Sequence, residues 1–125
     1  ASDPRVRVEI GDVADLVRNA GRKGGLEKFD AIVFDLYKGP HYHTHKINDP
    51  LYGSRAIDNV KAALNPGGVF SIWGENYDEG FDKRLCAAGF TVSNERPGRG
   101  GFRHVVFLAK LPLFRTKQSL IRRKK

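Results

Sequence analysis

The chain has 125 residues, of which 40% are hydrophobic and 29% are charged, and this length allows one domain with a modest core. No apolar run approaches the roughly 20 residues that span a bilayer, and the opening residues lack signal-peptide character, so we predict a cytoplasmic protein without a membrane segment. The single cysteine, Cys86, excludes an internal disulfide. Its apolar surroundings predict a buried place on a helix rather than a catalytic thiol.

The net charge of +8 is concentrated at one end of the chain. Lys110–Lys125 holds seven basic residues and no acidic one, whereas residues 1–109 hold 15 basic and 14 acidic residues. We therefore interpret residues 1–109 as a nearly neutral domain and residues 110–125 as a basic, solvated tail. Contact of this tail with nucleic acid or an anionic membrane is a less favoured alternative.

The first third of the chain predicts a strand, a helix and a second strand. Arg5–Ile10 alternates polar and apolar residues as a strand does. Asp12 can cap a helix that begins at Val13, and Gly21–Gly25 indicates a mobile link. Phe29–Phe34 is mostly apolar, which is typical of a parallel strand buried on both faces.

The middle of the chain predicts a long loop, a helix and a third strand. Asp35–Pro50 is polar and holds two prolines and three histidines, and loops of this length are often functional. Tyr52–Leu64 has helical spacing of its apolar residues. Asn65–Gly68 should end that helix before the strand Val69–Trp73.

The last part predicts one more helix and a hairpin. Asp78 or Glu79 should open the helix and Gly89 should end it. Phe90–Asn94 and Arg103–Ala109 are close enough in sequence to pair as antiparallel strands. Helices and strands thus alternate along the chain, which predicts an α/β fold with a C-terminal antiparallel edge.

These elements carry a combination of motifs that resembles a known family. The matching segments are Asp3–Val8 with Gly11-Asp12, Phe29–Asp35, Gly39-Pro40, Leu51-Tyr52, Leu64–Val69 and Arg103–Ala109. Their order and spacing resemble the spermidine synthase-like (polyamine aminopropyltransferase) branch of the S-adenosylmethionine-dependent class I methyltransferase fold. The resemblance covers about residues 3–109.

The resemblance implies a three-layer, Rossmann-like sheet of seven strands, of which this chain supplies the later part. Arg5–Ile10 would be the third strand, and the first two strands are missing from the sequence. In the family those two strands lie between the third strand and the fourth, here Phe29–Phe34, so the sheet must rearrange or another segment must fill the gap. A chain that begins with Ala1 and lacks methionine is expected to be a fragment of a longer protein.

The resemblance also implies a catalytic carboxylate. In the family a strand-end Asp-x-x-Asp pattern binds the amine acceptor, and its first aspartate removes the proton from the attacking amine. Asp35 matches the first position, whereas the second position is Lys38, which would repel a polyamine. A structural role for Asp35, in which it orders the loop, remains an equally good alternative.

Further residues receive implied roles in the same site. Asp12 matches the position that accepts a hydrogen bond from adenine, although a helix cap would explain it as well. The resemblance places Asp35 and its neighbour Leu36 beside the cofactor, which would be S-adenosylmethionine or its decarboxylated form. Half of the cofactor site is absent, so the chain alone should bind it weakly or not at all. The predicted acceptor-binding residues are Tyr37, Tyr52, Trp73 and Glu75.

The loop also contains three alternating histidines, His41, His43 and His45. Three imidazoles on one side of an extended segment could suit zinc or nickel. No acidic or cysteine partner accompanies them at ligand spacing, so we predict no metal site there. They could instead line an acceptor pocket.

The leading hypothesis is a transferase that moves an aminopropyl group from a cofactor of the S-adenosylmethionine type to a small amine or other acceptor. A small-molecule methyltransferase is the first alternative, because Lys38 replaces the second aspartate. The second alternative is a non-catalytic binding module with a basic tail. A homodimer is left open as the assembly.

Overall fold

The computed structural model describes residues 3–22, 28–36, 38–96 and 104–113. The predicted glycine link 21–25 and the segment 97–103 therefore lie largely or wholly outside the described residues, as do Tyr37 and residues 114–125 of the predicted tail. In chain order the elements are α1 (Val13–Arg22), β1 (Phe29–Phe34), a short 3₁₀ helix (Tyr42–Thr44), α2 (Ser54–Ala63), β2 (Leu64–Gly74), α3 (Glu79–Ala87), β3 (Thr91–Glu95) and β4 (Val105–Lys110).

The four strands of the described residues form one mixed sheet in the order β1-β2-β4-β3. β1 and β2 run parallel, with Phe34 beside Ile72. β4 is antiparallel both to β2 and to β3. The predicted α/β class and the C-terminal antiparallel hairpin are confirmed.

One hydrophobic core lies between the sheet and the helices. Phe70, Ile72 and Phe107 are fully buried on the sheet, and they belong to the same cluster as buried residues of α1, α2 and α3. The described residues therefore form two of the three layers that the resemblance implies, one of strands and one of helices.

The prediction that β1 is buried on both faces is wrong. Ile32 and Phe34 are buried, but the side chain of Val33 between them is 62% exposed. Successive strand residues point to opposite faces, and the helices of the described residues cover only one of them. The described part of the chain thus buries only some of the apolar side chains of β1.

The prediction of a strand at Arg5–Ile10 is also wrong. This segment forms no strand in the structure, and Val6, Val8 and Ile10 are exposed. Alternation of residue types is insufficient, because a strand needs a neighbouring ladder of backbone donors and acceptors. Within the described residues β1 pairs only with β2 and lies at the edge of the sheet. No described segment therefore takes the place of the missing strands beside β1.

The predicted start of α1 and both predicted ends of α3 are confirmed. The predicted turn at Asn65–Gly68 is wrong, because these residues lie inside β2, which begins at Leu64 directly after α2. The Asp12 carboxylate accepts the N–H of Ala14 at 2.9 Å at the start of α1, and Asp78 accepts the N–H of Phe81 at 3.0 Å as the N-cap of α3. Gly89 follows α3 with a φ of +102°, a conformation that glycine adopts without strain. No helix in the described ranges has the length and apolar character needed to cross a membrane.

Cys86 is exposed, so its predicted buried position is wrong. Phe81 and Leu85 on the same helix are fully buried. Residue 86 lies about 100° further around the helix than residue 85, which turns it away from the core. Its Sγ lies 3.6 Å from Asp82 Oδ1.

Candidate active site

The predicted site residues meet where the parallel strands β1 and β2 end. Asp35 and Leu36 follow β1, Trp73 lies near the end of β2, and Glu75 follows it. Because Phe34 pairs with Ile72, the next residues, Asp35 and Trp73, are neighbours across the two strands. All four line one pocket of about 220 Å³. Parallel sheets carry their ligands at this edge.

His104 lines the same pocket, and the sequence analysis missed it. It immediately precedes β4, which runs antiparallel to β2 with Val105 beside Gly74. Continuing this register places His104 beside Glu75, at the edge where β2 ends. In the sequence His104 is a polar residue directly before an apolar strand. This pattern indicates a site residue only when the pairing of β4 with β2 is known.

A close backbone contact brings the two loops of this edge together. The N–H of Glu75 donates to the carbonyl oxygen of Lys38 at 3.1 Å. Gly39 has a φ of +77°, and a Cβ atom at this position would lie 2.5 Å from Gly74 Cα. Only glycine fits here without strain, so Gly39 allows the loop after β1 to pack against the end of β2.

A larger cleft of about 650 Å³ adjoins the pocket, and Glu75 lines both. The loop after β1 forms one wall with Lys38, residues 40–43 and His45. The loop after β2 and the start of α3 form the other wall with residues 75–80 and Lys83. This volume lies in the range of pockets that enclose small-molecule ligands.

Side chains of α3 and its N-cap form hydrogen bonds with the loop after β1 and the segment that follows it. His45 Nε2 lies 2.9 Å from Asp78 Oδ1, and Asp78 is only 8% exposed. The Arg84 guanidinium donates to the carbonyl oxygen of Tyr52 at 2.8 Å and to that of Thr44 at 3.4 Å. Burial lowers the pKa of Arg84, while the nearby carboxylates Asp78 and Asp49 raise it. The wall of the cleft is therefore held in place by several bonds.

The three loop histidines do not converge on one point. His41 Nδ1 accepts the N–H of His43 at 3.3 Å, and the His45 ring is turned to Asp78. Among the described residues, no group of three or more histidine, cysteine, aspartate and glutamate side chains could hold a metal ion. Ring nitrogens of His41 and His45 instead support the loop.

Two other predicted site residues lie outside the pocket. Tyr52 is 4% exposed, and its ring packs edge-on against Phe34 and Phe81. Burial, followed by the charge of Asp49, raises the pKa of Tyr52 to about 12. Asp12 lies at the start of α1, where it caps the helix. The structure thus brings together Asp35, Leu36, Trp73 and Glu75, but not Tyr52 or Asp12.

Comparison with solved structures identifies the fold. Human methyltransferase-like protein 13 in complex with SAH aligns with 98% of this chain at a TM-score of 0.65 and 20% identity. An O-methyltransferase family protein from Burkholderia thailandensis aligns with 86% at a TM-score of 0.56 and 14% identity. The alignments cover 57% and 36% of those two chains, respectively. These TM-scores show the shared Rossmann-like methyltransferase fold.

Comparison with protein families is more specific. No curated protein matches the chain. The model of the spermine/spermidine synthase domain matches residues 1–80, which include β1, β2 and the residues Asp35, Trp73 and Glu75 of the pocket. The chain therefore belongs to the spermine/spermidine synthase domain family.

Proposed function

We propose that this chain is part of a transferase that moves an aminopropyl group from decarboxylated S-adenosylmethionine to an amine acceptor. The observation that carries the proposal is the pocket at the end of β1 and β2, where Asp35 and Glu75 lie with Trp73 and His104. Membership of the spermine/spermidine synthase domain family supports it. We take residues 1–109 as part of the transferase domain of a cytoplasmic protein, and residues 110–125 as its tail. The mass of the protein in solution tests whether it forms a homodimer.

The pocket suits the reacting end of such a cofactor. Two carboxylates and an indole favour a cationic sulfonium, and the bound cofactor would supply an electrophilic carbon next to this sulfur. The volume of about 220 Å³ is below the roughly 300–1,000 Å³ of pockets that enclose drug-sized ligands. The described residues would therefore hold this end, with Leu36 beside it. We assign the contact with the adenine to Asp12, which lies outside this pocket at the start of α1.

The residues of the chain would activate the acceptor. An ammonium has no lone pair, so it must lose a proton before it can attack carbon. Asp35 would accept this proton. Glu75 would hold the amine, by charge and hydrogen bonding, in line with the electrophilic carbon. Trp73, which is 39% exposed, would cover the pocket with an apolar surface and exclude water.

Methyl transfer from S-adenosylmethionine is a second candidate function. The structures reported above are named as methyltransferases, and one of them was solved in complex with SAH. Lys38, in place of a second aspartate, also favours an acceptor other than a polyamine. A non-catalytic binding module that uses the basic tail is a third candidate, supported by the seven basic residues in 110–125.

Calorimetric titration with both cofactors tests these candidates, and it uses the natural gene product that contains this chain, because the chain alone is expected to bind a cofactor weakly or not at all. Tighter binding of the decarboxylated form supports aminopropyl transfer, and tighter binding of S-adenosylmethionine supports methyl transfer. Binding of neither form would contradict both. If the tail is the functional part, the intact protein should bind a nucleic acid, and this binding should weaken steeply with increasing salt concentration. Deleting residues 111–125 should then abolish the binding.

A further inference from the structure

The acidic side chains of the 650 Å³ cleft are largely engaged with other protein groups. Asp78 contacts His45 and caps α3. Glu79 Oε1 lies 3.1 Å from Lys83 Nζ. Among the carboxylates that line the cleft, Glu75 is the one that makes no ion pair or side-chain hydrogen bond with another described residue. Lys38 adds a positive charge at the opposite wall.

A polyamine carries several ammonium groups separated by apolar spacers, and each buried or half-buried charge needs a partner. The cleft offers one available carboxylate among its described residues, and Lys38 opposes a second ammonium by charge repulsion. The chemistry of the cleft therefore disfavours a long polycation.

Aromatic rings form much of the remaining lining. Tyr42 is 74% exposed, and its ring centroid lies 3.8 Å from that of His43. Tyr77 is 40% exposed and stacks on Phe107 with an interplanar angle of 22°. Its hydroxyl donates to Asp82 Oδ2 at 2.8 Å, which fixes the ring. Exposed rings held in this way offer faces to which a flat ligand can stack.

We propose that the cleft binds an acceptor with an aromatic ring and a single nucleophilic amine or hydroxyl group. The ring contacts Tyr42 and Tyr77, and the nucleophile reaches the 220 Å³ pocket past Glu75, which lines both cavities. This inference rests on the proposed transferase function, since it assigns the acceptor of that same site.

Binding titrations with three probes test the proposal. Tyramine represents an aromatic monoamine, and putrescine and spermidine represent polyamines. The purified protein should bind tyramine at least tenfold more tightly than either polyamine. Tyr77→Leu should weaken tyramine binding roughly two- to tenfold, the range expected for one aromatic contact. Phe29→Leu is the matched control, because Phe29 is 41% exposed at the opposite end of β1, and it should leave tyramine binding unchanged.

Lys38→Asp supplies the complementary test. It replaces the positive charge with a second carboxylate, so it should raise putrescine affinity at least tenfold while tyramine affinity changes little. Circular dichroism of each variant checks that it is folded. Equal or tighter binding of a polyamine by the unchanged protein, or no binding of tyramine, would overturn the proposal. Tyramine binding by the natural gene product that contains this chain, without binding of either cofactor, would contradict the transferase function and leave the assignment of the cleft intact.

Discussion

His45 Nε2 lies 2.9 and 3.1 Å from the two carboxylate oxygens of Asp78. One residue belongs to the loop after β1, and the other is the N-cap of α3. The same carboxylate therefore begins a helix and fastens a wall of the cleft. Gly80 makes this contact fit, because a Cβ atom there would lie 2.7 Å from the His45 ring.

Replacing Asp78 should lower the stability of the protein. Asp78→Ala removes the N-cap, which costs about 0.5–2 kcal/mol, and it also removes the contact with His45. Asp78→Asn keeps an oxygen that can accept the N–H of Phe81 and should cost less. Urea unfolding of both variants measures their free energies of unfolding. An equally large loss of stability in the two variants would show that the loss does not come from the N-cap.

Gly39→Ala should destabilise the edge of the sheet that carries the pocket. The new Cβ atom would lie 2.5 Å from Gly74 Cα, at a backbone φ of +77°, and such strain costs about 1–3 kcal/mol. Gly11→Ala is the control, since nothing lies within 4 Å of a Cβ atom there. Thermal unfolding of the two variants compares them, and a normal melting temperature for Gly39→Ala would contradict this packing.

Asp35→Asn should lower turnover by roughly 10²- to 10⁴-fold, the usual contribution of a general base. The amide keeps the shape of the side chain but cannot accept the proton of the acceptor. Asp30→Asn is the matched control: Asp30 lies on the same strand, where it accepts a hydrogen bond from Asn65 at 3.0 Å. Steady-state rates decide the matter, and a similar rate for Asp35→Asn and the unchanged protein would assign Asp35 a structural role.

The buried hydroxyl of Tyr52 should make the protein less stable as the pH rises above about 10. Its pKa is raised to about 12, mainly by burial, whereas an unfolded tyrosine has a pKa of about 10. The folded protein therefore keeps this proton longer, so the resulting stability is present below pH 10 and is lost as the pH rises towards 12. Tyr52→Phe should reduce that loss in urea unfolding measured at pH 9 and pH 11.

At neutral pH the same substitution should cost little. The Tyr52 hydroxyl is buried and has no hydrogen-bond partner among the described residues, so removing it leaves no group unpaired. Tyr77 also has a pKa raised to about 12, chiefly through its hydrogen bond to Asp82, and some alkaline loss should persist in Tyr52→Phe. A large loss of stability in Tyr52→Phe at pH 7 would indicate a partner for the hydroxyl.

The sequence by itself determined the elements whose signals are local. Helix caps such as Asp78 depend on side chains next to the helix end, and the positions of Asp35 and Glu75 follow from the ends of two apolar runs. Parallel strands place such residues on one edge. The family resemblance could be identified for the same reason, because its motifs follow one another along the chain.

Only the tertiary structure decided which residues meet across the chain and which faces are covered. His104 joins Glu75 because β4 pairs with β2, and His45 meets Asp78 across 33 positions. Arg5–Ile10 has the alternation of a strand but forms none in the structure, and Val33 is apolar but exposed. Burial and strand pairing are properties of neighbours in space, which a local pattern of residue types cannot specify.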